Sequence, residues 1–329
     1  MKCHCCSGEA KPRGFYRNKN FTVQRYRCVR CGKAYSERQP LDGLRLPLAQ
    51  AVQIVHLLCE GVGVRAAARL TGCEPKTVLS VLEVAGAKCE RLLDYEVRNV
   101  NVRQAECDEL YSYIYCRPNN APFNHPTKGE FYTYVAVDRD TKLILSHLVG
   151  KRNGENCVAM LSDLKGRLAN RIQLSTDGYQ GYTGPLGAVY RVFGHEIDYG
   201  SEVKQFGPER GFITATTRAP RRFNPPVCKW VRRTKRIGSP DVDAINTSRA
   251  ERLNLTMRLF SRRFTRCTIN YSKKLRNHEL AVALFVAHYN FCRVHSAHRN
   301  TPAIRAGLTD HVWSIEELFT YGHVQSTTT

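Results

Sequence analysis

The chain has 329 residues, 42% of them apolar, which allows one sizeable core plus one or two small modules. No stretch resembles the long apolar run of a membrane span, and the opening MKCHCCSGEA lacks the apolar core of a signal peptide, so a cytoplasmic protein is expected. Fifty Lys and Arg against 29 Asp and Glu give a net charge of +21, and most of the fourteen cysteines stand singly in apolar patterns (Cys59, Cys89, Cys157, Cys292), as reduced buried thiols rather than a disulfide framework.

The positive charge is clustered. Residues 1–38 hold ten basic and two acidic side chains, and residues 211–276 hold seventeen and three. Clusters of this kind favour a polyanionic partner, of which nucleic acid is the commonest. Residues 39–98, between them, balance seven basic against seven acidic side chains.

Residues 1–42 carry two C-x-x-C pairs, Cys3 with Cys6 and Cys28 with Cys31, in a segment too polar to build its own core. Four thiolates from two tight turns make a closed tetrahedral site, so a zinc ribbon with one structural Zn²⁺ is expected. Cys5 and His4 lie close enough to leave the N-terminal ligand choice open. Residues 43–98 read as helices: LAQAVQIVHLLCEG has a helical apolar stripe, and VRAAARL, the turn TGCEP and KTVLSVLEVAG follow. Ala68, Gly72 and Val78 fall where a helix-turn-helix needs a small residue, a turn glycine and a core residue. That register puts Lys76, Thr77 and Ser80 at the exposed start of a DNA-recognition helix.

From residue 99 to 310 the pattern is α/β. AECDELYSYIY, FYTYVAVD and KLILSHLVG read as three consecutive strands, GENCVAMLSDLKGRL as a helix, and RIQLSTDGY as a short buried strand ending at Asp177. Three strands, a helix and a strand with a carboxylate at its end fit a mixed sheet with helices of the ribonuclease-H-like type. Residues 208–240 contain five prolines, and between 211 and 240 there are eight basic residues and no acid. This segment reads as a basic insertion or clamp, not a core element, with Arg221, Arg222, Arg232 and Arg233 placed to meet phosphates. TSRAERLNLTMRLFSRRFTR is a helix burying Ala250, Leu253, Met257, Phe260 and Phe264, and a last long helix runs from about Asn277 to Asn290. Residues 311–329 read as a C-terminal tail.

Three acids stand out: Asp108 mid-strand among apolar residues, Asp177 at a strand end, and Glu251 one turn into an otherwise basic helix. Carboxylates gathered from separate elements hold Mg²⁺ or Mn²⁺, and two such ions about 4 Å apart serve both oxygens of a phosphodiester displacement. Glu109 and Asp198 are competitors. Strand alternation sends Asp108 and Glu109 to opposite faces, which argues against a shared metal. Asp198 reaches the site only from an edge strand. Asn254 and Arg258 follow Glu251 along one helix edge, where they could meet a phosphate.

The runs CDELYSYI, YVAVDRDTKLILSHLVGKRN, STDGY, NTSRAERLNLTMRLFSRRFTR and HYNFCRVHSAHRNTPA resemble the insertion-sequence-one family of bacterial transposases, and RYRCVRCGKAYS and GVGVRAAARLTG match it as well. The resemblance covers nearly the whole chain. It implies a DDE recombinase with a retroviral-integrase-like catalytic domain, in which Asp108, Asp177 and Glu251 match the metal-binding triad. It also implies hydrolysis at the ends of a mobile element, attack of the exposed 3′-OH on target DNA, double-stranded DNA as partner, a dimer or larger synaptic assembly, and association with the bacterial nucleoid. The alternative function is a zinc-ribbon and helix-turn-helix transcription regulator with an inert C-terminal domain; a ribonuclease-H-like hydrolase of RNA–DNA hybrids is a further rival.

Overall fold

The computed structural model describes residues 8–17, 22–36, 41, 44–123, 125–184, 187–207, 227–265 and 268–321. Cys3, Cys6, Arg221 and Arg222 lie outside these residues. The chain divides into two compact units, one of residues 1–97, 114–129 and 257–329, the other of residues 98–113 and 130–256.

The first unit opens with an antiparallel sheet of β1 (Ala10–Arg17), β2 (Thr22–Cys28) and β3 (Ala34–Ser36), in that order. In β1 and β2 the sheet buries only Ala10, Val23 and Cys28 among its apolar side chains, too little apolar area to hold a sheet by burial alone. Three helices follow. α1 (Leu48–Cys59) starts after Pro47, α2 (Val64–Thr71) stops at Gly72 in the left-handed conformation, and α3 (Pro75–Glu96) starts with proline in its first turn. Of the apolar stripe expected at 48, 51, 52, 55 and 58, Ala51 and Val55 are buried and the rest half-buried, while Ile54, Ala67, Ala68 and Val78 are buried as well.

The second unit is a six-stranded mixed sheet. In chain order it contains β4 (Gln104–Ile114), β5 (Gly129–Asp138), β6 (Ile144–Gly150), α4 (Gly154–Arg167), β7 (Gln173–Asp177), α5 (Gln180–Thr183), α6 (Ala188–Phe193), β8 (Asp198–Gly207), β9 (Val227–Ile237) and most of α7 (Ser248–Phe260). The strand order is β6-β5-β4-β7-β8-β9. β7 runs parallel to both β4 and β8, while β5–β6 and β8–β9 are antiparallel. This mixed sheet with helices is consistent with a ribonuclease-H-like domain. A third of the 208–240 segment departs from expectation: residues 227–237 form β9, an edge strand paired along β8. An edge strand open to water on both faces tolerates the charge density that argued against a core element.

Residues after 257 return to the first unit. A short turn at Arg262–Phe264 leads to α8 (Leu275–Ala287), which passes into a wider helical turn at His288–Cys292, then α9 (Pro302–Arg305) and α10 (Ile315–Thr320). α8 and α10 pack with α3, so residues from 257 onward group with the first unit, whereas 99–310 was expected as one domain. The reason is the length of α3: its second half buries Ala85, Cys89, Leu92 and Leu93 and needs cover. The expected tail also contributes: Lys88 Nζ donates to the Phe319 carbonyl at 2.8 Å, Tyr321 donates to Glu96 at 2.7 Å, and Leu318 and Phe319 are buried. At Gly86 the helices touch so closely that a Cβ would stand 2.6 Å from both Cβ and O of Leu280. Gly86→Val should therefore destabilise this unit by about 2 kcal/mol, read as a lower urea midpoint; an unchanged midpoint would mean that α8 does not press on α3. Among the described residues no helix is long and apolar enough to cross a membrane.

Candidate metal centre

The parallel pairing of β4 with β7 sets the site. The register runs Gln104↔Gln173 to Cys107↔Thr176, and one step further along both strands puts Asp108 beside Asp177. Each carboxylate thus stands at the same level on neighbouring strands. Gly178 follows because β8 leaves no room: a Cβ there would meet Val203 Cγ2 at 2.7 Å. The Asp177 carboxylate accepts the Tyr179 N–H at 2.9 Å, which fixes the turn after β7.

Asp108, Glu109 and Asp177 each offer a carboxylate oxygen, and these oxygens all lie within 4.8 Å of one another. Glu109 therefore joins the site, against the expectation drawn from strand alternation. Alternation fixes Cβ directions, not the ends of the side chains. The Asp108 carboxylate folds back to accept the Glu109 N–H at 2.8 Å, and Asp177 on the next strand stands within reach of both. Burial pushes the Asp108 carboxyl up to about 7, and the charges of Glu109, Asp177 and Glu251 add to the rise. Burial also raises Glu109, as does the charge of Asp177, while the charge of Arg152 and its hydrogen bond oppose the rise.

Asn254, expected at a phosphate, is instead buried (4% exposed) and donates through Nδ2 to Asp108 Oδ2 at 2.7 Å. Its Oδ1 is buried with no partner. Clustered carboxylates whose repulsion raises one of them, with an unpartnered buried carbonyl beside them, fit a hard divalent cation, which takes oxygen ligands. The donor set suits Mg²⁺ or Mn²⁺.

Glu251 is not drawn into that cluster. Its carboxylate accepts from Lys204 Nζ at 2.6 Å and from Thr247 at 3.0 Å. Lys204 also pairs at 3.1 Å with Glu202, a buried acid on β8 that Arg233 approaches at 3.4 Å. The helix bearing Glu251 is set by a further acid that the sequence did not single out. Glu106 Oε2 accepts the backbone N–H groups of Arg249 (2.6 Å) and Ala250 (3.1 Å), at the start of α7. A carboxylate there satisfies donors that the helix cannot, and meets the positive end of its dipole. Glu106 and Asp108 share one face of β4 by the two-residue period, so one strand both anchors α7 and supplies a candidate ligand.

Asp198 begins β8 at the level of Gln173, whereas Glu202 is the residue level with Asp177. It sits at the opposite end of the strands and binds Arg171 at 2.8 Å, with that guanidinium holding its carboxyl down near 2. That removes Asp198 as a competitor.

Of the expected DNA-binding residues, Lys76 is exposed and Thr77 and Ser80 half-buried at the start of α3; Arg232 and Arg233 are exposed on β9, and Arg258 is half-buried on α7. Of the four cysteines expected to hold zinc, Cys28 and Cys31 lie on one tight turn, where the Cys31 N–H points at the Cys28 sulfur at 3.4 Å and Gly32 has a positive φ of 70°.

No protein-family model matches the chain, and no curated protein matches it. Solved structures give weak likenesses. A chain of the simian T-cell lymphotropic virus intasome in complex with PP2A regulatory subunit B56 gamma is 13% identical, covering 77% of this chain and 72% of that one, with a TM-score of 0.35. The Mos1 transposase paired-end complex with left transposon end is 15% identical over 46% of this chain and 57% of that one, TM-score 0.20. A pre-cleavage Mos1 transpososome is 10% identical over 48% and 60%, TM-score 0.18. At these scores the likeness carries no argument for function.

Proposed function

We propose that this protein is a DNA transposase of the insertion-sequence-one kind, which cuts phosphodiester bonds at the ends of its element and joins the exposed 3′-OH to target DNA. The observation that carries the reading is the convergence of Asp108 and Glu109, midway along β4, with Asp177 at the end of the parallel strand β7, their ligand atoms within 4.8 Å. A regulator with an inert C-terminal domain has no use for half-buried acids that repel one another. In this reading Asp108, Glu109 and Asp177 hold one divalent ion, and Glu251 with Asp108 serves a second. Bound ions supply Lewis-acid stabilisation of charge on the attacking and leaving oxygens.

The chain's own groups do the rest. Asn254 fixes the Asp108 carboxylate, and Glu106 fixes the start of α7 and with it Glu251. Arg232 and Arg233, with Arg221 and Arg222 of the preceding segment, bind DNA phosphates without regard to sequence. Arg258 adds to this general affinity. Lys76, Thr77 and Ser80 read base edges from α3 as part of a helix-turn-helix. Cys3, Cys6, Cys28 and Cys31 hold a structural Zn²⁺ that supplies what the small apolar content of β1–β3 cannot. Two copies act on paired element ends.

The test uses full-length protein and a labelled duplex carrying the inverted repeats that flank the gene. Mg²⁺ or Mn²⁺ should yield a nick exposing a 3′-OH, lost with a chelator and lost in Asp177→Asn. Elemental analysis should find about one zinc per chain, absent in Cys28→Ser. Tight sequence-preferring binding without cleavage at any ion concentration would sink the enzyme reading and favour the regulator.

A further inference from the structure

The carboxylate cluster already contains a cation of the protein's own. Arg152 lies two residues past the end of β6, and its guanidinium bridges Glu109 at 3.0 Å and Asp177 at 3.7 Å. The same guanidinium stands 4.0 Å from the ring centre of Tyr179 and 5.5 Å from that of Tyr132. Its backbone is held on both sides. The Lys151 carbonyl accepts from the Tyr134 hydroxyl and from Asn156 Nδ2, each at 2.8 Å, and the Asn153 N–H donates to the Tyr134 hydroxyl at 3.2 Å. Asn153 in turn caps α4. The side chain remains 35% exposed.

Arg152 holds Glu109 Oε2 and Asp177 Oδ2, while Glu109 Oε1 is buried without a partner. A divalent ion bound to these two acids would share them with the guanidinium, and two cations on the same two acids repel each other, which loosens the Arg152 contacts. The aromatic contacts do not depend on the acids, so the guanidinium stays beside the centre when it is displaced. There its planar fork of donors matches the two oxygens of a phosphodiester. Lys204 differs, because the buried Glu202 keeps it paired whatever happens at Glu251.

We propose that Arg152 is a phosphate-binding residue of this centre, which turns to the DNA only after a divalent ion has replaced it on Glu109 and Asp177. The proposal rests on the reading that the cluster holds such an ion. It makes ion binding and substrate binding one coupled event: without the ion Arg152 screens the acids, and with it Arg152 grips the phosphate.

Full-length wild type, Arg152→Gln, Arg152→Lys and Asp108→Asn would be titrated with Mn²⁺ by calorimetry. Their affinity for the end duplex would be measured with and without Ca²⁺. Arg152→Gln should bind Mn²⁺ about tenfold more tightly, since a competing charge is gone, whereas loss of a merely structural side chain would weaken binding or leave it unchanged. Wild type should gain about tenfold in DNA affinity with Ca²⁺, and Arg152→Gln less than twofold. Arg152→Lys, which keeps the charge without the fork, should keep wild-type Mn²⁺ affinity with a reduced DNA gain. Mn²⁺ binding that is lost in Asp108→Asn but no tighter in Arg152→Gln overturns the role of Arg152 and leaves the metal centre standing. If Arg152→Gln does not fold, a full wild-type DNA gain in Arg152→Lys overturns it. Wild type that binds no Mn²⁺ overturns the metal centre and Arg152 together.

Discussion

Asp108→Asn is expected to abolish cleavage and at the same time to stabilise the ion-free protein at pH 8. Asp108 is half-buried among acids, and desolvation pushes its carboxyl up to about 7 from the ordinary 3.8. A carboxyl raised in the folded state holds its proton more tightly there than in the unfolded chain. Its favourable contribution is complete below pH 4 and is lost as the pH rises through about 7. Three pKa units correspond to about 4 kcal/mol; partial solvent access reduces this to about 2 kcal/mol. Asparagine removes the charge and can keep both hydrogen bonds. Its Oδ1 accepts the Glu109 N–H, and its amide donates to Asn254 if that side chain flips to offer the oxygen that now has no partner. Denaturation without divalent ions should therefore show the variant ahead of wild type at pH 8 and level with it below pH 4. Cleavage should fall at least roughly a thousandfold, as loss of a metal ligand in phosphoryl transfer implies. A stability difference that does not change with pH would show that Asp108 is not strained by burial and its neighbours.

How far the sequence foretold this site depends on the range of each contact. The strands that carry Asp108 and Asp177 were legible because aromatic and β-branched residues mark them and Gly178 ends the second. The stripe Ala250, Leu253 and Met257 of α7 was legible from its helical period, and all three are buried. β9 was not legible, since its edge position, which makes five cations in VCKWVRRTKRI tolerable, belongs to the sheet and not to the segment. The packing of α8 and α10 on α3 joins residues far apart in the chain, and nothing local to Gly86 announces Leu280. Glu106 had a usable signal: it shares the parity of Asp108 on one strand, and two buried acids on one face demand donors or a cation. Arg152 had a weaker one, a cation immediately after a strand that ends in the sheet holding the acids.

Glu251 and Glu109 are the pair whose exchange of roles the sheet geometry brings into question. The triad drawn from the sequence includes Glu251 and leaves Glu109 out. With Glu109 in the cluster, Glu109→Gln should lower cleavage at least roughly a hundredfold and weaken Mn²⁺ binding by about tenfold, because one of three anionic donors is lost. For Glu251, replacement by Gln should also lower cleavage at least roughly a thousandfold. Its charge already acts on Asp108, and its present partner Lys204 has a second, buried acid to hold it when Glu251 turns away. Glu251 is half exposed, so breaking its pair with Lys204 should cost less than about 1 kcal/mol and leave folding intact. Glu251→Gln should then keep the ion bound by Asp108, Glu109 and Asp177 and lose a second, weaker one. Mn²⁺ stoichiometry and nicking of the end duplex, measured side by side on both variants, decide the matter. Normal nicking by Glu251→Gln together with collapse in Glu109→Gln would leave Asp108, Glu109 and Asp177 as the whole acid set, with the metal chemistry confined to the two parallel strands.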